Sequence, residues 1–174
     1  MELAAIPFEK LHANTFSLWD EQWFLLTAGD FGQQHFNCMT ISWGSLGVIW
    51  GKPFVQVAVR PVRHTFSFIN DYPEFTLCAF PEQYRKTLNT LGSKSGRQMD
   101  KMHTSGLTPV KADLVAAPVF AEAELIFECR KMYWQDMDPG HFLSGKIDQC
   151  YPGKDYHRIF FGEVLAVRGT DRYQ

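Results

Sequence analysis

Six stretches of the chain read as β-strands, and their placement argues against a regular alternation of strand and helix. Residues 23–28 (WFLLTA) form an apolar run suited to a buried strand. Residues 35–42 (HFNCMTIS) alternate, with Phe36, Cys38, Thr40 and Ser42 on one face and Asn37, Met39 and Ile41 on the other. The segment GDFGQQ between them holds two glycines that reverse the chain. Residues 54–59 (FVQVAV) are β-branched, and Pro61 removes a backbone donor just beyond them. Residues 74–80, 119–133 and 158–169 complete the set; within 119–133, Leu125, Phe127 and Cys129 alternate with Glu124, Glu128 and Arg130. Helical spacing is confined to the middle. Residues 64–71 (HTFSFIND) predict a short helix stopped before Pro73, and 82–92 (EQYRKTLNTLG) a helix with Gly92 as its stop. Residues 97–103 (RQMDKMH) predict a third. The pattern fits a mainly β fold, a closed antiparallel barrel with helical insertions, as one domain over residues 1–174.

With 174 residues, 45% hydrophobic and 15% aromatic, the chain is long enough for one real core. A net charge of -2 argues against a nucleic-acid coat. No apolar run reaches the length of a membrane span, so no membrane partner is expected. MELAAIPFEK lacks the basic and apolar regions of a secretory signal, so the expected location is cytoplasmic. Cys38, Cys78, Cys129 and Cys150 are far apart and show no CxxC; they read as reduced residues, three of them in strands.

Several motifs fail. GVIWGKP is no P-loop: Leu46 stands where the first glycine belongs, and Pro53 replaces the magnesium-binding hydroxyl. GSKSG is no nucleophile elbow, because its centre is Lys94. The six histidines include no HExxH, and no metal site is expected.

What survives is the order of features between His35 and Phe66. A loop of small residues follows the strand that ends in Thr40, Ile41, Ser42 and Trp43; its backbone N–H groups would meet the heteroatom edge of a flat ring, with Met39, Ile41 and Trp43 as apolar walls. After the next strand, Arg60 and Arg63 precede His64 and Thr65 at a helix start, a ready anion site. Ser93, Lys94 and Ser95 offer a second basic, hydroxyl-rich loop. Each piece has a plainer reading, as strand-end residues, solvated charges or a flexible turn. Their order favours a planar ring with a phosphate tail, for which flavin mononucleotide (FMN) is the candidate.

The chain resembles the flavin reductase-like proteins with an FMN-binding split barrel. The likeness rests on NCMTISWGS from Asn37, FVQVAVRPVRHTFSFI from Phe54, EFTLCAFP from Glu74 and IFFGEVLAVR from Ile159, and covers about Phe24 to Arg168. Members often carry Asn where this chain has Cys78. The resemblance implies a Greek-key split barrel that forms a homodimer. It implies FMN near the dimer interface, with the Met39–Trp43 segment against the ring, Arg60–Thr65 and SKSG at the phosphate, and Asn37 among the cofactor-binding residues. It implies redox chemistry with NADH or NADPH as donor. No residue stands out as a catalytic acid or base; His157, beside the last strand, is the best candidate near the ring. An FMN electron carrier and a non-redox binding module on the same barrel are the rival readings.

Overall fold

The computed structural model describes residues 3–174; the first two residues of the stretch read above for a signal lie outside it. In chain order the strands are β1 (Ala4–Ala5), β2 (Phe24–Asp30), β3 (His35–Ile41), β4 (Gly44–Ile49), β5 (Lys52–Val59), β6 (Glu74–Ala79), β7 (Pro109–Val110), β8 (Val119–Phe120), β9 (Leu125–Asp136) and β10 (Arg158–Gly169). The helices are α1 (Thr15–Ser17), α2 (His64–Asp71), α3 (Arg85–Ser93), α4 (Lys101–Ser105) and α5 (Gly145–Asp148). Among the described residues, no helix is long and apolar enough to cross a membrane.

One antiparallel sheet runs β3-β2-β6-β9-β10-β5-β4, with β1 added to β10. Neighbours in the chain are separated in space: β5 and β6 have β10 and β9 between them, so the connection through α2 crosses an end of the sheet. The sheet curls until its inward positions share one core. Phe24 and Leu26 of β2, Met39 and Ile41 of β3, Val57 and Val59 of β5, Phe75 and Leu77 of β6, Phe127 of β9 and Phe160 and Val164 of β10 all belong to it. The architecture is the mainly β barrel expected from the strand pattern, but split between β3 and β4, as the resemblance implies, rather than closed.

A second core lies outside the barrel wall. Leu25, Cys38, Cys78 and Ile126 point outward from β2, β3, β6 and β9 and are covered by Phe80, Leu88, Leu91, Leu107 and Phe120. This explains two kinds of strand pattern. β2, covered on both faces, reads as an unbroken apolar run; β10 has only part of its outer face covered and alternates. Cys38, Cys78 and Cys129 are fully buried, and Cys150 is exposed. Burial pushes the Cys38 and Cys78 thiols up to about 12.

Three details differ from the sequence reading. The small-residue segment after Trp43 is no loop. Residues Gly44–Ile49 are a strand in register with β5, from Gly44↔Val57 to Ile49↔Lys52, so only Ser42 and Trp43 turn the corner. Glycines hid this strand because they score against strand formation. Gly92 is no helix stop: it lies inside α3, where a side chain would come within 3.1 Å of Thr40 Cβ. The third helix begins only at Lys101, because the Asp100 carboxylate caps it by accepting from His103 N–H at 3.0 Å.

Gly162 sits at a shift in the β9–β10 register, where a Cβ atom would lie 2.6 Å from Phe75 Cζ and 3.2 Å from Cys129 Cβ. Phe75 is fully buried and has no room to retreat. Gly162→Ala is expected to lower unfolding stability by about 1–3 kcal/mol through overpacking, read as a lower urea midpoint. An unchanged midpoint would show that the barrel wall yields there.

Candidate functional site

β3 and β4 are the two edges of the sheet, and the chain passes from one to the other through Ser42 and Trp43 alone. The corner is tied across the split by Ala58 N–H, which donates to Trp43 C=O at 3.2 Å. A cavity of about 320 Å³ opens beside it. Met39, Thr40, Ile41, Ser42 and Trp43 form one side, and Ala58, Arg60, Arg63, Gly92 and His157 complete it. Met39 and Ile41 are buried and apolar, whereas Trp43 is half-exposed. The Trp43 and His157 rings lie 5.0 Å apart at 44°. Thr40 Oγ donates to Leu88 C=O at 2.5 Å, which fixes α3 against β3.

Arg63 also lines a second depression, with His64, Thr65, Ser93, Lys94, Ser95, Gly96 and Lys101. The amino terminus of α2 opens here, beginning at His64. Asn37 Nδ2 donates to the buried Thr65 Oγ1 at 2.8 Å. A side chain at Gly96 would collide with Asn37 Oδ1 at 2.6 Å, so only glycine lets this loop approach. Lys101 is 5% exposed. Its ammonium donates to Cys38 C=O at 2.7 Å and Leu91 C=O at 2.8 Å.

The electrostatics point one way. Burial lowers the Lys101 pKa; Cys38 pulls it back up in part, and Arg63 lowers it again. Arg63 is itself shifted down by burial and by Arg60, while its guanidinium donates to Gly92 C=O. His64 is lowered by burial, then by Arg97, Lys101 and His35, and among the described residues its buried Nδ1 has no partner. Positive charge is crowded here, and among the described residues no carboxylate lines this depression, although Asp100 borders the adjoining one beside His64 and Lys101.

The structure therefore brings the sequence-selected residues into two adjoining depressions that share Arg63. Met39, Thr40, Ile41, Ser42, Trp43, Arg60 and Arg63 line the first; His64, Thr65, Ser93, Lys94 and Ser95 line the second; Asn37 stands behind Thr65. Arg60 lines the first depression and not the second. Its guanidinium pairs with Asp155 at 3.3 Å, donates to Cys150 C=O at 2.8 Å and lies over the Tyr151 ring at 5.0 Å. Sequence reasoning missed Lys101 and Tyr151, and took in Gly96 only as the end of the SKSG loop. The Asp100 cap just before it was the one signal for Lys101, and no local pattern marks Tyr151.

His157 is buried, and its Nδ1 lies 2.7 Å from the Tyr151 hydroxyl. Burial first, then Arg60, hold its pKa down to about 4, against a weaker opposing pull from Asp155.

A model of the flavin reductase like domain matches residues 21–173. Relatives include an uncharacterized protein of Archaeoglobus fulgidus, 25% identical over 138 residues, which are 79% of this chain and 68% of that one. Another, from Pyrococcus abyssi, is 29% identical over 133 residues, 75% of this chain and 64% of the relative. The match thus spans about two thirds of each relative's length. Among solved structures, flavoredoxin of Desulfovibrio vulgaris (Miyazaki F) has a TM-score of 0.67 at 20% identity, covering 92% of this chain and 75% of its own. An FMN-binding protein from Thermus thermophilus with bound 1-cyclohex-2-enone has 0.64 at 19%, covering 87% and 72%. The NADH:FAD oxidoreductase SgcE6 of Streptomyces globisporus has 0.64 at 18%, covering 88% and 78%. At these identities the structures share the fold.

The depressed pKa of His157 has a consequence for stability. Between its ordinary value near 6.5 and about 4, the unfolded chain binds a proton that the folded chain refuses. The stability that His157 contributes is present above pH 6.5 and is lost as the pH falls toward 4. His157→Phe is expected to lose less melting temperature than wild type between pH 7 and pH 5. Equal losses would mean that His157 titrates normally in the folded chain.

Proposed function

The chain belongs to the flavin reductase-like family, and from that premise we propose that it is an FMN-binding oxidoreductase of the NAD(P)H-dependent flavin reductase type. On this reading, residues 1–174 act as one domain of a cytoplasmic homodimer. The observation that carries it is the pairing of a cavity with Met39, Ile41 and Trp43 on one side with a depression lined by cations and by no carboxylate, joined through Arg63.

The residues fit the cofactor at both ends. Met39, Ile41 and Trp43 give apolar surface for a flat ring, and the Thr40–Trp43 backbone stands at a sheet edge, where N–H groups are left over by strand pairing. Lys101, Arg63, Lys94 and the start of α2 suit a phosphate; a dianion there would offset the burial, and then the neighbouring cations, that depress Lys101 and His64. When bound, flavin would supply the hydride and electron transfer itself. The chain's share is to bind, orient and shield. Arg60 and Arg63 would set a positive field at the ring end, since His157 stays uncharged above about pH 4. Trp43 and His157 would close one side of the cavity against water.

The homodimer reading is supported by the exposed apolar surface of the β4–β5 hairpin, where Trp50 is 63% and Val48 75% exposed. Light scattering at micromolar concentration should give twice the chain mass; a monomer would refute it.

The purified protein should be yellow or take up FMN, and NADH or NADPH should bleach it. Bound flavin that neither nucleotide bleaches would favour an electron carrier, and no flavin uptake would leave only a binding module. The phosphate end is tested by titrating Arg63→Ala and Lys101→Met with FMN and riboflavin. Each substitution should weaken FMN by about tenfold to a hundredfold, the value of one charge-assisted hydrogen bond at about 1.5–3 kcal/mol, and leave riboflavin nearly unchanged. Equal losses for both ligands would indicate fold damage, and no loss would remove the residue from the site.

A further inference from the structure

The segment between β9 and β10 folds back over the first cavity, and it brings an aromatic residue that nothing above employs. Tyr151 is 1% exposed although it lies in a turn after α5. Three contacts hold it there. Its ring stacks with Phe142 at 6.2 Å and 18°, packs on Tyr156 at 5.0 Å and carries the Arg60 guanidinium at 5.0 Å. Arg60 in turn binds the same segment at Cys150 C=O and Asp155. Arg60 thus pins to the turn after β5 a segment that otherwise has little core of its own.

The phenol's hydroxyl has one proton and two neighbours, His157 Nδ1 at 2.7 Å and the Met137 thioether at 3.3 Å. A thioether is a weak acceptor, whereas an unprotonated imidazole nitrogen is a strong one. The closer and stronger acceptor takes the proton. That leaves the second ring nitrogen of a neutral imidazole to carry the hydrogen. Among the described residues Nε2 has no partner, and His157 lines the cavity. We propose that Tyr151 is a positioning residue which, clamped by Arg60, fixes His157 as a neutral Nε2–H donor toward the cavity.

The proposal rests on the flavin reading for its purpose: such a donor suits a carbonyl or ring-nitrogen edge, and repels nothing that carries a positive charge. The charged groups around His157 are Arg60, from the turn after β5, and Asp155, from its own segment; Arg63 lines the same cavity. Trp43, Ala58 and Met137 bring no charge. Arg60 opposes protonation of the ring, in the same sense as the Tyr151 hydroxyl, and Asp155 favours it more weakly.

The test reads the tautomer directly, by long-range proton–nitrogen correlation of the His157 ring in the apoprotein at pH 7. The expected result is a protonated Nε2 and an unprotonated, hydrogen-bonded Nδ1. In Tyr151→Phe, which keeps the ring under Arg60, the two tautomers should mix and the protonation midpoint should rise above its wild-type value of about 4. Once flavin is bound, the same variant should slow reduction by NADPH about threefold to tenfold, the size of losing one neutral hydrogen bond. A wild-type ring protonated on Nδ1, or a tautomer and midpoint that Tyr151→Phe leaves untouched, would overturn the proposal. The wild-type spectrum decides even where the variant fails to fold. Because it is read in the apoprotein, it fails separately from flavin uptake, which absorbance reports.

Discussion

The two-residue corner at Ser42 and Trp43 is the constraint on which the site depends. A barrel closed by strand pairing all round has no leftover backbone groups. Here the chain leaves β3, one edge of the sheet, and enters β4, the other edge, with only Ser42 and Trp43 between. The two edges are forced side by side at one end and tied there by the Ala58–Trp43 hydrogen bond. The ladder is interrupted at the same place where apolar Met39 and Ile41 turn inward. A cavity with apolar walls and a polar backbone rim is the direct result.

Charge at the far end follows from how the corner is buttressed. α3 is held on β3 by Thr40, and its last turn supplies carbonyls that would otherwise be orphaned. Leu91 C=O receives Lys101, and Gly92 C=O receives Arg63. Two cations therefore satisfy the helix end, an arrangement favoured by the helix dipole. Neither finds a carboxylate among the described residues, so the helix end is satisfied and the charge is not. Removing water from such cations costs several kcal/mol unless an anion arrives. The same contacts that finish α3 prepare the place for a phosphate.

Much of this was legible in the sequence because it depends on period and punctuation. The limits of α2 and β10 follow from helical spacing before Pro73 and from an alternating run closed by Gly169. The residues of the corner and of the Arg63–Thr65 turn were legible too, since strand ends and helix starts carry local signals. β4 was not, because Gly44 and Gly47 disguise a strand whose partner, β5, decides its conformation. Gly92 and Gly96 look like punctuation, yet their reason is spatial: Thr40 and Asn37 lie against them from another strand. Arg60 was read by its neighbours in sequence, whereas Asp155, almost a hundred residues on, captures it. The pairing of Tyr151 with His157 leaves no trace in composition or period, because it depends on how one long turn folds back.

The barrel wall is unequal, and the inequality places the cavity. β2, β3 and β6 and the neighbouring end of β9 are covered outside by the second core, so their outward residues are Leu25, Cys38, Cys78 and Ile126. On the other half the outward residues are aromatic and less covered. Phe54 stacks on Phe161 at 5.9 Å, Phe161 meets Tyr133 at 5.4 Å, and Tyr133 meets Trp50 at 6.1 Å. An aromatic ladder of this kind gains from its own edge and face contacts, yet it leaves Trp50 and Tyr133 largely in water. The cavity lies on the boundary between the halves. Gly92 of α3 comes to it from the covered side, and Trp43 and His157 come from the uncovered side. A second copy of the chain laid on the aromatic ladder would bury apolar surface that the helices leave open.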